Sequence, residues 1–202
     1  MNPKRIAIFA SGNGSNAQRI AEYFTGFSSV EISAIYCNNK NAFVLERAKA
    51  LNIPSMLFDK DTFYNSNSVL LDLKQKGIDW IVLAGFLWLI PADILKAFPQ
   101  RIINIHPALL PAYGGKGMYG MKVHESVIAS GETESGITIH FVNENYDEGD
   151  IVFQARCKVD PSDTPDTLAE KIHSLEYLHY PGVIEELVLK LPDLLIKSAE
   201  EA

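Results

Sequence analysis

The chain has only two cysteines, Cys37 and Cys157. They show no metal-ligand spacing and no disulfide framework, so they read as reduced thiols in apolar, strand-like runs. No basic stripe interrupts a sequence of formal net charge −7. That balance argues against a nucleic-acid partner held by phosphate neutralisation. Long hydrophobic runs are also missing. The most apolar one, WIVLAGFLWLIPA (80–92), is too short to span a bilayer and contains Gly85 and Pro91. No membrane partner is expected. The N-terminal MNPKRIAIFA imitates a signal peptide, but its apolar run is short and leads into a glycine loop rather than a cleavage site. A cytoplasmic protein is expected. There is no repeat, low-complexity segment or linker, so one domain over residues 1–202 is the simplest organisation.

What is present is a hydrophobic fraction of 47% against 21% charge, enough for a sizeable core. Strand-like runs at 4–10, 30–37, 53–58, 79–85 and 101–105 alternate with helical patterns at 17–24, 42–51, 68–77 and 91–98. This order predicts a doubly wound, Rossmann-like α/β fold with a mostly parallel sheet. Two further strands, 134–144 and 150–160, are joined by too few residues for a crossover helix and should be antiparallel. A last helix is expected from about Thr164 to about Lys190, with Pro181 and Gly182 as a potential break.

Three segments carry chemistry. ASGNGSNAQ follows the first strand and opens the first helix. Gly12 and Gly14 let the backbone approach a ligand, and Gly14, Ser15 and Asn16 offer donors at a helix N-terminus that attracts anions. The spacing also satisfies G-x-G-x-x-A, the dinucleotide fingerprint. The second strand ends in CNNK, without the acid that would hold a ribose, which favours a simple phosphate. A tight turn capped by Ser15 or Asn16 also fits.

The second segment is RIINIHPALLP. On a strand Asn104 and His106 share a face, and two donors converging on one oxygen make an oxyanion hole. A histidine satisfied by a backbone carbonyl is the alternative. The remaining histidines, His124, His140, His173 and His179, form no ligand spacing, so no metal is expected. The third segment, NENYDEGD, holds four carboxylates. One placed against His106 would raise its pKa and keep it charged, and Asp147 is central to the turn.

Together SGNGSN, INIHPALLP and HFVNENYDEGDIVFQ resemble the folate-dependent glycinamide ribonucleotide transformylase family, from Arg5 to about Val188. The resemblance implies transfer of a formyl group from 10-formyltetrahydrofolate, as co-substrate, to the amine of glycinamide ribonucleotide in purine biosynthesis. It implies that Asn104 and His106 stabilise the oxyanion and that Asp147 holds His106 protonated. Gly14, Ser15 and Asn16 would cradle the phosphate. His173, Ser174, Leu175 and Glu176 would meet the ribonucleotide, with Glu176 on the amine. Leu87, Trp88, Leu89, Ile90, Asn104, Asn143, Glu144, Asn145, Tyr146 and Asp147 would line the folate pocket through backbone hydrogen bonds. Many relatives carry Met-Arg where this chain has Leu87–Trp88. Some have an arginine near residues 59–65 that reaches the folate tail, absent here. The glycine-rich loop at 112–125 would be a mobile lid. A monomer or a homodimer is compatible with all of this. A related formyltransferase or a formyltetrahydrofolate hydrolase is the alternative activity.

Overall fold

Continuous burial marks the first strand. In β1 (Lys4–Ala10), residues Ile6 to Ala10 have no exposed surface. Ile6, Ile8 and Ala10 enter one core, while Ala7 and Phe9 enter a second on the opposite face. A strand buried on both faces lies inside a sheet covered by helices on both sides. A computed structural model describes residues 2–200, with side chains described through residue 190.

Among those residues one sheet has the order β3-β2-β1-β4-β5-β6-β7. The strands are β2 (Val30–Cys37), β3 (Ser55–Leu57), β4 (Trp80–Leu83), β5 (Ile102–His106), β6 (Glu134–Phe141) and β7 (Ile151–Lys158). Pairs from β3 through β5 are parallel and β6–β7 is antiparallel, as the pattern predicted; β5–β6 is antiparallel as well, a pairing the pattern did not address. Strand β1 sits between β2 and β4, so the order of winding reverses there. Crevices at the carboxyl ends of strands beside such a reversal are where open α/β sheets take ligands.

The first core lies under α1 (Ser15–Tyr23), α2 (Val44–Ala50), α6 (Met121–Ala129) and α7 (Pro165–Glu200). The second lies under α3 (Lys60–Tyr64), α4 (Ser68–Gln75) and α5 (Ala92–Ala97). It is aromatic. Phe9 stacks on Tyr36 at 4.7 Å between centroids, and Phe58, Phe63 and Phe86 surround Phe9.

Two helices were not expected from the sequence. α3 is too short for periodicity to reveal, but a capping box starts it: Thr62 N–H donates to Asp59 Oδ1 at 2.8 Å and Asp59 N–H to Thr62 Oγ1 at 2.9 Å. α6 takes the second part of the expected glycine-rich loop, which therefore ends at Gly120.

α7 runs without interruption through Pro181 and Gly182, contrary to the expected break. Pro181 has no N–H for the Tyr177 carbonyl, and Arg19 Nε donates to that oxygen instead at 3.4 Å. Burial of Leu168, Ile172, Tyr180, Ile184 and Val188 along one stripe holds the helix to the sheet. Tyr180 Oη donates to the Leu83 carbonyl at 2.9 Å. No helix among the described residues is long and apolar enough to cross a membrane.

Candidate active site

The glycine loop is held from three directions. Its Ser11 Oγ accepts the Leu87 N–H at 3.1 Å. Arg47 on α2 donates to the Asn13 carbonyl at 2.9 Å and to Asn13 Oδ1 at 2.8 Å. Val44 N–H donates to the Gly12 carbonyl at 3.1 Å. Gly14 takes φ 76°, a left-handed conformation that suits glycine. The first helical bond of α1 runs from Gln18 N–H to the Gly14 carbonyl, and no side chain caps the helix. The N–H groups of Ser15, Asn16 and Ala17 precede that bond and have no partner within the helix, at an end where the helix dipole favours negative charge.

Asn104 and His106 close β5 on one face. The antiparallel register sets Asn104 opposite His140, and Asn104 Nδ2 lies 3.1 Å from His140 Nε2. His140 Nδ1 donates to the Phe141 carbonyl at 2.7 Å, so in the neutral ring Nε2 accepts from Asn104. His106 Nε2 donates to the Tyr113 carbonyl at 2.8 Å. Its Nδ1 lies 3.5 Å from Asp147 Oδ2, and His140 Nε2 lies 3.6 Å from Asp147 Oδ1. The carboxylate also accepts the Gly115 N–H at 2.9 Å.

Asp147 sits at φ 59°, and the turn behind it has no room for a side chain at Gly149. A Cβ there would lie 1.8 Å from the Phe141 carbonyl oxygen. This turn brings the carboxylate back over the end of β5.

Asp147 raises the His106 pKa as expected, but the net shift is downward. Burial pushes the His106 pKa below its ordinary value, and the opposing pull of Asp147 and the Tyr113 carbonyl does not overcome it. The ring therefore leans toward neutrality rather than being held charged. Asp147 is pushed up by burial, but His140, His106 and the Gly115 N–H outweigh that and hold it below the usual carboxylate range.

These groups share one cavity of about 620 Å³. Of the residues expected at the site, its wall includes Gly14, Ser15, Asn16, Leu87, Asn104, His106, Tyr146, Asp147, His173 and Glu176. Asn16 Nδ2 donates to the buried Glu176 carboxylate at 2.8 Å, tying α1 to α7.

Ser174, Leu175, Trp88, Leu89, Ile90, Asn143, Glu144 and Asn145 are not in this wall. Ser174 Oγ turns back to the Glu170 carbonyl, and Leu175 packs on the first core. Trp88 and Ile90 belong to the second core. The Leu89 carbonyl accepts Tyr64 Oη at 2.9 Å, and the Leu87 N–H is already on Ser11. Asn145 bonds Asn143 and Glu148 within its own loop.

His140 was missed, because its place beside Asn104 depends on strand register. His124 on α6 was missed as well. It lines the cavity, is 3% exposed, and its Nδ1 has no partner among the described residues. Burial, then the proximity of His173 and His106, push its pKa down to about 4.

A stability prediction follows from that ring. Its folded-state pKa is depressed, so between pH 6.5 and 4 the unfolded chain binds a proton that the folded chain refuses. Stability falls across that window by about 3 kcal/mol from this ring. Melting temperatures of His124→Gln should fall less steeply over the same window than those of the unsubstituted protein.

A family model described as formyl transferase matches residues 4–184. The chain is 44% identical over 187 residues to the chloroplastic phosphoribosylglycinamide formyltransferase of Arabidopsis thaliana, covering 90% of this chain but 64% of that protein. It thus spans just under two thirds of the plant protein's length. It is 36% identical over 190 residues to the phosphoribosylglycinamide formyltransferase of Bacillus subtilis, covering 92% and 95% of the two chains. The crystal structure of phosphoribosylglycinamide formyltransferase from Bacillus halodurans superposes with a TM-score of 0.83 at 36% identity, covering 93% of this chain and 97% of that one.

Proposed function

The chain belongs to the formyl transferase family, and on that premise we propose that it moves the formyl group of 10-formyltetrahydrofolate onto the amine of 5-phosphoribosylglycinamide. One domain carries both ligands in this reading. The observation that carries it is a single cavity with an uncapped glycine-loop helix at one part of its wall and the Asn104–His106–Asp147 group at another.

The phosphate monoester is assigned to the N–H groups of Ser15, Asn16 and Ala17 beside Gly14. Glu176, held by Asn16, faces the amine. His173, one turn earlier on α7, shares the cavity wall. The amine nitrogen attacks the formyl carbon, and the carbonyl electron pair moves to oxygen. Asn104 directs one amide hydrogen toward His140 and has a second for that oxygen. His106 is the other donor once its Nε2 exchanges the Tyr113 carbonyl for the ligand. A negative charge arriving beside this buried ring offsets the burial that disfavours its protonation. Collapse of the intermediate breaks the bond from the formyl carbon to the folate nitrogen. The electron pair goes to that nitrogen, which takes the proton lost by the amine. Asp147, kept ionised by a pKa below the usual carboxylate range, would relay that proton through a water molecule.

Truncation of one oxyanion donor typically costs about 10²–10³ in turnover. Asn104→Ala should lose that much, with binding of the ribonucleotide little changed, read as kcat against KM. The reading itself is tested by following folate absorbance with and without the ribonucleotide. Ribonucleotide-dependent deformylation is expected. Equal deformylation without the ribonucleotide would mean a hydrolase instead.

A further inference from the structure

His124 is the one histidine of the cavity wall with a sealed, unpartnered ring nitrogen among the described residues. It is buried to 3% exposure on the first part of α6, and its Nδ1 has no hydrogen-bond partner among the described residues. Buried polar atoms in native proteins are nearly always satisfied, so an orphaned one on a residue of a cavity wall needs an explanation. The cavity wall offers one. Its only lysine or arginine among the described residues is Lys116, on the loop before α6. The glycine loop contributes backbone donors and a helix dipole, but no full charge. A phosphate monoester dianion placed there would have Arg47 behind the loop, bonded to Asn13, but no lysine or arginine of the cavity wall except Lys116.

We propose that His124 is a further ligand of the substrate's phosphate monoester, and that its imidazole takes up a proton as the dianion binds. The proposal rests on the reading that the N-terminus of α1 receives the ribonucleotide phosphate. Without a ligand the ring stays neutral for reasons of place. It is out of water, and His173 from α7 and His106 from β5 face it as like charges when protonated. Glu176 on α7 is drawn to Asn16, and Lys116 adds a positive charge on the preceding loop. On its own helix Lys122 and Glu125 are exposed. A bound dianion reverses the balance at the ring, because an opposite charge nearby favours the imidazolium. The neutral, unpaired ring then becomes a charged donor with an acceptor. An imidazole suits this better than a lysine would, since its charge can come and go near neutral pH.

The test is calorimetric titration of 5-phosphoribosylglycinamide into the protein from about pH 6 to 8, spanning the ordinary histidine range, in two buffers of different ionisation enthalpy. The unsubstituted protein should take up protons on binding, with affinity rising as pH falls toward the lower end. His124→Gln should bind about tenfold more weakly there, the worth of one charge-assisted bond, and its proton uptake should shrink. Folate affinity in the same variant should be unchanged, which separates a lost ligand from a damaged fold. Equal affinity and equal proton uptake in the variant would overturn the proposal while leaving the phosphate site in place. No binding of the ribonucleotide by the unsubstituted protein would overturn the underlying reading as well. Should the variant fail to fold, the ¹⁵N shifts of His124 in the intact protein decide. They move to imidazolium values on adding the ribonucleotide, or they stay and the proposal fails.

Discussion

Asp147→Asn lowers kcat by about 10²–10⁴, the usual worth of a positioned proton-transfer group, and leaves the fold intact. The substitution isolates the charge. The new side chain would occupy the same left-handed backbone position, φ 59°, which asparagine tolerates well. Its amide oxygen would still accept the Gly115 N–H, a bond the carboxylate now makes at 2.9 Å. What disappears is the anion between His106 Nδ1 and His140 Nε2, at 3.5 and 3.6 Å. Burial then acts on His106 with no opposing carboxylate, and its pKa falls further. In the proposed reaction the variant therefore loses both the proton carrier and the group that lets His106 become a charged donor. Ribonucleotide affinity should change little, because the glycine loop proposed to hold the phosphate is elsewhere in the cavity. Asp147→Ala would confuse the result, since alanine is strained at this φ. A loss below tenfold in the asparagine variant would assign proton transfer to another group.

Gly14→Ala is expected to damage binding and stability together. A Cβ at Gly14 would lie 2.4 Å from Val44 Cγ2, 2.5 Å from Val44 Cβ and 2.9 Å from Val44 Cα. Val44 is fully buried at the start of α2, and its N–H is bonded to the Gly12 carbonyl. It has nowhere to retreat, so the N-terminus of α1 must move away from α2. The left-handed backbone at φ 76° adds strain of about 1–2 kcal/mol for any residue with a Cβ. Together these should cost about 2–4 kcal/mol of stability and weaken ribonucleotide binding by more than tenfold. Gly12→Ala is the control. Its Cβ meets nothing within 4 Å, so its melting temperature should stay close to the original. Thermal melts and calorimetry on the pair check both halves. Equal melting temperatures for the two variants would contradict the packing argument.

Much of this architecture was legible because burial and period coincide. The run KRIAIFA reads as an interior strand, and in β1 it is one, with five successive residues from Ile6 to Ala10 out of water. The short link between residues 141 and 151 forced antiparallel pairing of β6 with β7. Asn104 and His106 were recognisable by their two-residue spacing at a strand end, and Asp147 by its turn. Long-range register was not legible. It puts His140 against Asn104, a pairing no local pattern encodes. His124 was hidden for a similar reason, since its burial depends on how α6 meets α7. α7 passed through Pro181 because tertiary burial on either side outweighed a local helix breaker. The net pKa of His106 was not legible, because a carboxylate that raises it is visible in sequence and the depth of burial that lowers it is not.

The central claim is that one carbon atom moves from folate to the ribonucleotide amine. It is tested most directly with 10-formyltetrahydrofolate carrying ¹³C in the formyl group, incubated with 5-phosphoribosylglycinamide and the protein, and followed by ¹³C NMR. The account predicts that the label leaves the folate signal and appears as a formamide on the ribonucleotide, at a rate that collapses in Asp147→Asn. Label released as formate, or retained on the folate, would contradict it.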